Sequence, residues 1–345
     1  MSEGFTYKQA GVDIATADAT KREMARSLET ADPRVLNRLG AFATLFDARF
    51  PGYQHPVLVL KSEEPGSKQK LALQHGRVES ICQDLVNHLI NDIIVMGAAP
   101  LSVQDIIVCG KLEKPVVSRL VAGMAQACRA QDCTLTGGET SEQPGVVPAG
   151  TYLLTASVVG VVEKALIVDG SRIAEGDQVL ALASNGLHTN GYSLVRALME
   201  RKAEILNRQV EGESFLDAIL KPHCCYFQAL RALFAQPALH GMAHITGGGI
   251  AGNLNRILPP GLSARIELDT LEVLPLFSLI RQVGQVPGED MLRTFNVGVG
   301  MTLVVAPEAA GQICGHLEAQ GCRAYPIGRI VRGEQQVEYV GKVRW

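Results

Sequence analysis

Short apolar runs alternate with stretches of helical periodicity along the first half of the chain. Continuous runs of aliphatic residues predict buried strands at 56–60, 103–109 and 151–162. Apolar residues recur with helical spacing at 80–97 and 114–131, which predicts two amphipathic helices. Ser80 and Gln83 have the spacing of a capping box, and Gly97 is expected to end the first of these helices. Residues 1–50 indicate a polar N-terminal arm.

The same alternation continues after a turn-rich stretch at 170–177. Further strands are predicted at 178–183, 242–246, 264–268, 301–306, 323–330 and 336–341, and helices at 213–220, 223–236, 273–283 and 307–320. Strands alternating with helices indicate an α/β protein. A length of 345 residues favours two domains, and we place them at 1–168 and 169–345.

Composition narrows the class of protein. The chain is 47% hydrophobic and 19% charged, as expected for a globular protein with a large core. Its net charge of -3 and the lack of a basic block argue against nucleic acid as a partner. No apolar run is long enough to span a bilayer, and the first residues do not resemble a signal peptide, so we expect a cytoplasmic protein without a membrane partner.

The eight cysteines are scattered, and none lies in a CxxC motif. This usage favours free thiols in a reducing compartment over disulfides or a zinc site.

A Gly-Gly-Glu stretch at 135–145 is the most informative segment. The preceding residues are β-prone, so a strand is expected to enter a tight turn at Gly137 and Gly138, whose N–H groups would face an anion. Glu139 and Glu142 follow directly, and carboxylates beside an anion are favourable when a divalent cation bridges them. This pattern fits a bound nucleotide. An acidic turn between two elements explains it equally well.

The predicted helix at 80–97 carries a second candidate group. Asp84, His88 and Asp92 are spaced at i, i+4 and i+8, which puts them on one face. A solvated helix face accounts for such a stripe. However, Asn91 and Asp92 lie among apolar residues, where a carboxylate needs a partner.

Glycine-rich motifs in the second half have to be weighed against known nucleotide sites. The chain has no GxxxxGK[ST] P-loop. Residues 247–252 match GxGxxG, but the helix that follows is stopped by Pro259 and is too short for a dinucleotide-binding unit. An anion site at these glycines stays open.

His240 and His244 have the spacing of a zinc pair, but on a strand that spacing favours no shared metal. Arg293 and Asn296 indicate either a tight corner or a phosphate-binding turn.

Taken together, these stretches resemble the phosphoribosylformylglycinamidine cyclo-ligase (aminoimidazole ribonucleotide synthetase) family over nearly the whole chain. Many collinear motifs carry the resemblance, which makes it specific. They lie at 7–14, 83–86 with 91–92, 109–112, 137–140 with 144–145, 186–196, 243–249, and 291–296 with 298–301.

The resemblance implies a two-domain α/β protein of the aminoimidazole ribonucleotide synthetase-like fold. In that fold the N-terminal domain pairs with a second copy to form an intersubunit β-barrel, so a homodimer is expected. It also implies ATP and Mg²⁺ as cofactors, and a small-molecule ribonucleotide as substrate. In the family reaction the γ-phosphoryl group of ATP is transferred to a formamide oxygen, an amidine nitrogen attacks, and phosphate leaves.

The resemblance also implies roles for residues at matching positions. The catalytic set is Lys68, His188 and His244, and the metal carboxylates are Glu63, Asp92 and Glu139. The cofactor set is Lys68, Asp84, Asn91, Gly137, Gly138 and Thr140. The substrate set is Asn190, Thr246, Gly247, Gly248, Gly249, Arg293 and Asn296.

Departures from the family pattern cluster in the first domain. Where the family has Asp-Gly-Val-Gly-Thr-Lys, this chain has Glu-Glu-Pro-Gly-Ser-Lys at 63–68. Glu64 adds negative charge beside a triphosphate, and Pro65 removes an N–H donor. Two alternatives therefore stay open beside the family reaction. The first alternative is a diverged ligase that activates a different amide with ATP. The second is a non-catalytic nucleotide-binding dimer.

Overall fold

The computed structural model of the chain describes residues 14–37 and 41–345. The motif at 7–14 lies outside the described residues, apart from its last position. The chain forms two compact units, the first comprising the described residues up to Leu89 together with Pro100–Val161. The second comprises Ile90–Ala99 and Val162–Trp345. The division of roles predicted between 1–168 and 169–345 stays a prediction.

The first unit contains a four-stranded sheet and four helices. The helices are α1 (Ile14–Leu28), α2 (Lys68–Gln74), α3 (Val78–Ile94, its last five residues in the second unit) and α4 (Lys114–Ala130). The strands are β1 (Pro56–Glu63), β2 (Ala99–Cys109), β3 (Thr134–Glu142) and β4 (Tyr152–Glu163). They are ordered β1-β4-β2-β3, and β2 and β3 run parallel.

The second unit contains a six-stranded sheet ordered β12-β9-β11-β5-β10-β8. Its strands are β5 (Gln178–Ala183), β8 (Leu239–His244), β9 (Leu262–Glu267), β10 (Val299–Val305), β11 (Ala324–Arg332) and β12 (Val337–Val340). A separate hairpin joins β6 (Gln209–Val210) to β7 (Glu213–Ser214). Its helices are α5 (Tyr192–Arg201), α6 (Phe215–Ile219), α7 (Phe227–Leu230), α8 (Gly249–Leu254), α9 (Pro275–Gly284), α10 (Gly288–Thr294) and α11 (Ala310–Ala319).

Alternating burial along the strands explains how the first sheet is packed. Inward residues of β4, such as Tyr152 and Leu154, are buried, whereas Leu153 between them is 46% exposed. Strand β1 shows the same alternation, with every second residue exposed. The apolar face of α3 supplies fully buried side chains such as Leu85 and Leu89 to the core. One face of this sheet is therefore left open and carries apolar residues.

The second sheet is instead buried on both faces at its centre. All seven residues of β10 are buried, which explains why this stretch reads as a continuous apolar run. Strand β10 pairs antiparallel with both β5 and β8. The ends of these neighbouring strands therefore hold the loops that contain His188 and follow His244.

The predicted turn at Gly137 and Gly138 is wrong. Strand β3 continues through both glycines to Glu142, and the pairing register shifts between Val103 and Asp105 of β2. A Cβ at Gly138 would overlap the carbonyl oxygen of Asp105, its partner in the ladder. Glycine is needed here for close approach of two strands at a bulge and does not form a turn.

Three helix predictions also need correction. Helix α3 begins at Val78, so Ser80 lies inside it and the predicted capping box is wrong. The predicted helix at 223–236 is reduced to α7 and one 3₁₀ turn at 231–233, because the residues after Pro222 are not helical. Helices α2 and α10 were not predicted, since each spans only seven residues and shows little periodicity.

Buried Asp105 generates a prediction on stability. The residue is 4% exposed, and desolvation raises its pKa from 3.8 to about 7. A raised carboxyl pKa means that the folded state binds the proton more tightly than the unfolded state. Asp105 should therefore contribute a fall in the free energy of unfolding as pH rises from 4 to 7. For Asp105→Asn that fall should be smaller by up to about 4 kcal/mol.

Urea denaturation at a series of pH values measures this difference directly. The exposed Asp290 provides a matched control, and Asp290→Asn should follow the wild-type curve. Parallel curves for Asp105→Asn and wild type would contradict the assigned pKa shift.

Candidate functional site

Three histidines of the second unit meet although they come from separate parts of the chain. His188 lies in the loop between β5 and α5, His223 lies between α6 and α7, and His244 is the last residue of β8. All three are buried, with exposures of 1%, 1% and 6%. His188 has φ +58°, an uncommon backbone conformation for a residue other than glycine. Such strain is often kept at functional sites.

The imidazole rings are in direct contact. Nε2 of His223 lies 3.0 Å from Nε2 of His244. The rings of His188 and His223 are stacked, with centroids 3.9 Å apart and planes inclined by 21°. The three residues each offer a ring nitrogen within 4.8 Å of the others.

Asp92 sets the hydrogen-bonding state of this group. Its Oδ1 lies 2.7 Å from Nδ1 of His244, and an ionised carboxylate only accepts, so Nδ1 carries the proton. In the neutral form of His244, Nε2 holds a lone pair and can accept from Nε2 of His223. Nδ1 of His223 is left to accept from the Thr189 hydroxyl at 3.4 Å. The result is a continuous hydrogen-bonded chain with a basic nitrogen at His244.

Two amide side chains fix the backbone around the histidines. Asn91 donates from Nδ2 to the carbonyl of Cys224 at 2.7 Å and accepts from the N–H of Tyr226 at 3.0 Å. Asn296 accepts from the Ser184 hydroxyl and donates to the carbonyl of Gly186, both at 2.9 Å. These bonds position the segments that carry His223 and His188. The ligand roles predicted for Asn91 and Asn296 stay predictions.

The loop from Thr246 to Gly249 follows His244 directly. Asn253 of α8 donates from Nδ2 to the carbonyls of Gly247 at 3.2 Å and Gly249 at 2.8 Å. Its Oδ1 accepts from the Thr246 hydroxyl at 3.1 Å. Asn253 thus holds three residues of this loop through one side chain. The helix that follows has six residues, as expected for a stretch too short for a dinucleotide-binding unit.

Asn190 is the substrate-set residue with an unused donor. Its Nδ2 is buried without a hydrogen-bond partner among the described residues. A Cβ at Gly247 would lie 3.5 Å from its Oδ1, so Asn190 neighbours the loop of the same set. A buried, unpaired amide is unfavourable and is expected at a ligand site. Arg293, also in the set, is exposed, and its carbonyl accepts from the N–H of Gly248 at 3.0 Å.

The first unit contains the predicted nucleotide residues. Lys68 and Asp84 form an ion pair with Nζ and Oδ1 2.7 Å apart, and both side chains are 0% exposed. Desolvation lowers the pKa of Lys68, and the Asp84 carboxylate opposes that shift. To bind a phosphate, Nζ of Lys68 must leave the ion pair with Asp84, or the phosphate must approach Nζ while the pair stays formed. The ATP role predicted for both residues stays a prediction.

In the loop at 63–68, which departs from the family pattern, the substituted residue Glu64 makes hydrogen bonds within the loop. Oε2 of Glu64 accepts from the N–H of Gly66 and from Nε2 of Gln69, both at 3.1 Å. Gln69 in turn accepts from the N–H of Leu154 at 3.0 Å, which ties the loop to β4. Glu64 therefore takes an N–H group that a glycine-rich loop would offer to a phosphate.

The predicted metal and nucleotide residues of the sheet lie on its strands. Gly137, Gly138, Glu139 and Thr140 are in β3, and Glu139 is exposed. Glu142 accepts from the N–H of Leu112 at 2.7 Å, so its carboxylate holds a loop. Glu63, at the end of β1, pairs with Lys61 at 2.9 Å. No membrane-spanning helix is found among the described residues.

Comparison with known sequences decides the family. The family model described as AIR synthase related protein, N-terminal domain, matches residues 56–162, and the corresponding C-terminal domain matches residues 174–341. The phosphoribosylformylglycinamidine cyclo-ligase of Methylobacillus flagellatus is 41% identical over 327 residues, covering 94% of each chain. That of Aromatoleum aromaticum is 43% identical over 329 residues, again covering 94% of each.

The chain belongs to the AIR synthase related family. Solved structures show the same fold at lower identity. Thiamine-monophosphate kinase from Stenotrophomonas maltophilia matches with a TM-score of 0.66 and 19% identity, covering 94% of this chain and 96% of that one. Hydrogenase maturation protein HypE in complex with ATP matches with a TM-score of 0.63 and 18% identity, covering 98% and 92%. The predicted two-domain α/β fold is confirmed.

Two residues at the site were missed by the sequence analysis. His223 and Asn253 were not predicted. His223 follows a proline at the start of a stretch that reads as helical, and nothing local points to a histidine cluster. Asn253 could have been found, because it is a polar residue between apolar Ile250 and Leu254 in a short helix.

The buried pair in the first unit generates a stability prediction. Lys68→Met leaves the Asp84 carboxylate buried without its cation, and should lower the free energy of unfolding by about 3–5 kcal/mol. The double variant Lys68→Met/Asp84→Leu should recover most of that loss, because it leaves no unpaired charge. Chemical denaturation of the intact chain measures both.

Lys61→Met is the matched control. Lys61 also pairs with a carboxylate, but its side chain is 37% exposed and that of Glu63 is 27% exposed. Solvent screening should keep its effect below about 1 kcal/mol. Equal losses for Lys68→Met and Lys61→Met would show that the buried pair is not the structural element described here.

Proposed function

We propose that this protein is an ATP-dependent cyclo-ligase that converts formylglycinamidine ribonucleotide to aminoimidazole ribonucleotide, with release of ADP and phosphate. Curated relatives that are 41–43% identical over almost the full length carry the name of this activity. The observation in the chain itself that carries the proposal is the His244–Asp92 pair. This pair immediately precedes the Thr246–Gly249 loop, which Asn190 with its unused amide neighbours, and this supports the proposal.

The reaction needs a leaving group and a base. An amide oxygen leaves poorly, and transfer of the γ-phosphoryl group of ATP turns it into a phosphate. When the amidine nitrogen then attacks the same carbon, it must lose a proton. We assign that proton to Nε2 of His244, because the carboxylate of Asp92 stabilises the imidazolium that results. His188 is proposed to orient the substrate or move protons in the same group.

Substrate recognition is proposed for the remaining residues of the set. Asn190, the turn at Thr246–Gly249 and Arg293 offer amide, backbone and guanidinium donors of the kind that bind a phosphate or amide oxygen. Asn253 has a positioning role, since it holds the carbonyls of the turn. Asn296 is proposed to act through the loop that carries His188.

ATP and Mg²⁺ are proposed as cofactors, as the family resemblance implies. The donor chemistry fits, because carboxylate oxygens are the ligands that Mg²⁺ prefers. We propose Glu63, Asp92 and Glu139 as those ligands, as the family resemblance implies. Bound Mg²⁺ neutralises charge on the transferring phosphoryl group. The backbone at Gly137, Gly138 and Thr140 is proposed to contact ATP.

A second candidate is a ligase that acts on a different amide. The observation that favours it is the closed loop at 63–68, where Glu64 occupies the N–H of Gly66. The change alters the proposed nucleotide region, while the turns of the second unit keep the family pattern.

The free thiols support a cytoplasmic location. All eight cysteines are unbridged, as expected in a reducing compartment.

One assay separates these functions. The intact chain is given ATP and Mg²⁺ with and without formylglycinamidine ribonucleotide, and ADP and aminoimidazole ribonucleotide are quantified by chromatography. ADP release that depends on this substrate, with equimolar product, is the expected result. Binding of ATP without turnover would favour a different amide, and no binding of ATP would indicate a non-catalytic protein.

His244→Gln tests the proposed base. Removal of the general base should lower kcat by about 10²- to 10⁴-fold while ATP binding is kept. His240→Gln is the control, because Nδ1 of His240 also lies 2.7 Å from a carboxylate, that of Asp177, on the same strand. This control should retain a kcat near that of wild type. An unchanged kcat in His244→Gln would exclude His244 as the base.

We also propose a homodimer formed through the open face of the first sheet. Leu58, Leu60, Ile106 and Leu153 of three adjacent strands are 53%, 70%, 44% and 46% exposed. A contiguous exposed apolar face favours a protein partner, and a second copy supplies a matching face by symmetry. Two such sheets packed face to face would form the barrel implied by the resemblance.

Leu58→Asp/Leu60→Asp should therefore yield monomers where the wild type is a dimer, measured by sedimentation equilibrium. Leu206→Asp is the control, since Leu206 is 41% exposed but belongs to the second unit. A monomeric wild type, or a dimer that survives the double substitution, would rule out this interface.

A further inference from the structure

The histidine group contains more nitrogen donors than the proposed reaction uses. A base at His244 and an orienting residue at His188 leave His223 without a task in the reaction. Yet His223 lies between the other two, stacked on one ring and 3.0 Å from Nε2 of the other. Three buried imidazoles in contact form a donor set in their own right.

The spacing of these nitrogens is close to that of ligands on one ion. With Zn–N bonds of about 2.0–2.1 Å in tetrahedral geometry, two ligating nitrogens lie roughly 3.3 Å apart. The two Nε2 atoms of His223 and His244 are 3.0 Å apart, so an opening of a few tenths of an ångström admits an ion. His188 offers a third nitrogen within 4.8 Å. Side-chain rotation alone has to supply the remaining adjustment.

Asp92 supplies the outer partner that metal-binding histidines usually have. A ligating imidazole donates its other N–H to a carboxylate or carbonyl, which fixes its tautomer and raises its basicity. Nδ1 of His244 makes this contact with Asp92 at 2.7 Å, so its Nε2 lone pair is already directed toward His223. Metal binding at Nε2 of His223 requires its proton to move to Nδ1, where the Thr189 hydroxyl oxygen at 3.4 Å can accept it.

The backbone is built to bring these side chains together. A Cβ at Gly300 would lie 2.7 Å from Cε1 of His188 and would overlap the hydroxyl of Tyr226. Glycine at this position of β10 therefore permits the close approach of His188. The left-handed conformation of His188 and the two hydrogen bonds from Asn91 to the segment after His223 complete the support.

We propose that His188, His223 and His244 bind a divalent transition-metal ion, with Asp92 orienting His244. Three imidazoles suit Zn²⁺, Co²⁺, Ni²⁺ or Cu²⁺, whereas Mg²⁺ prefers oxygen ligands. Its nitrogen donors therefore differ in chemistry from the carboxylates proposed for Mg²⁺, of which Asp92 alone also contacts this site, through Nδ1 of His244. It has a consequence that rests on the proposed function: the ion takes the lone pair that His244 needs as a base, and so inhibits turnover.

Cobalt(II) titration of the intact chain, without nucleotide or substrate, tests binding independently of activity. The expected result is saturable binding of one Co²⁺ per chain with the visible d–d bands of a tetrahedral ion. Because the chain has eight cysteines, a sulfur-to-cobalt charge-transfer band in the near ultraviolet would overturn the assignment. Failure of Co²⁺ and Zn²⁺ to bind would overturn it as well. The wild-type spectrum decides these outcomes even if a variant does not fold.

His223→Phe keeps an aromatic ring for stacking but removes both nitrogen donors. Removal of the orienting carboxylate typically weakens metal binding by about 10- to 100-fold, and we expect that loss for Asp92→Asn. Loss of a ligand in His223→Phe should exceed it. The matched control is His240→Phe, which breaks another histidine–carboxylate pair on the same unit and should bind Co²⁺ like wild type. Equal affinity of His223→Phe and His240→Phe would overturn the site.

Activity with and without one equivalent of Zn²⁺ per chain tests the consequence. Wild type and His240→Phe should lose turnover, and His223→Phe should keep the activity that it has without zinc. Binding without inhibition would overturn the inferred conflict with His244. A chain that lacks cyclo-ligase activity but shows the cobalt spectrum would refute the proposed function and leave the metal site supported.

Discussion

The hydrogen bond between Nδ1 of His244 and Asp92 fixes the chemistry of the second unit. Because a carboxylate only accepts, it assigns a proton to Nδ1, and in the neutral ring the lone pair is then on Nε2. A rotated ring would exchange a basic nitrogen for a donor and change the roles of His223 and Thr189 as well. The bond also joins the end of α3 to the last residue of β8, two elements far apart in sequence. Position and protonation state are thus set by one contact.

The surrounding amide side chains explain why this contact can be held. Asn91, Asn253 and Asn296 each bond main-chain groups of loops that carry functional residues. Loops have few backbone partners of their own, and a buried N–H or carbonyl without a partner costs free energy. A single amide supplies both a donor and an acceptor, so it can satisfy a loop in two directions. These residues build the site whether or not they touch a ligand.

The sequence predicts the parts of this structure that follow local rules. The runs that became β1, β10 and α4 are readable because periodicity and composition agree. Prediction fails where the decisive partner is distant in sequence. Nothing near Gly138 shows that Asp105 of a neighbouring strand will press against it, so a turn was expected where a bulge occurs. Nor does the stretch around Lys68 show that its charge will be buried against Asp84, sixteen positions further on.

The residues of the candidate site also fall into those that the sequence predicts and those that only the structure reveals. His188 and His244 were found because they lie in motifs that resemble a family, whereas His223 lies in none. Its place depends on Pro222, on the hydrogen bonds from Asn91 and on the packing of two other rings, which are all tertiary effects. Residues that lie in a family motif are thus accessible from sequence, but a residue placed by tertiary contacts alone needs the structure.

The two kinds of donor in the chain imply two kinds of ion. Glu63 and Glu139 offer hard oxygen ligands, which suit a cation that keeps its waters and contacts phosphates. The three imidazoles offer nitrogen in a buried setting, where Mg²⁺ gains little and a transition-metal ion gains much. The same lone pair on an imidazole nitrogen can accept a proton or bind a metal ion. A proton-accepting histidine beside two others therefore offers the donors of the transition-metal site that we propose, and here the rings are in contact.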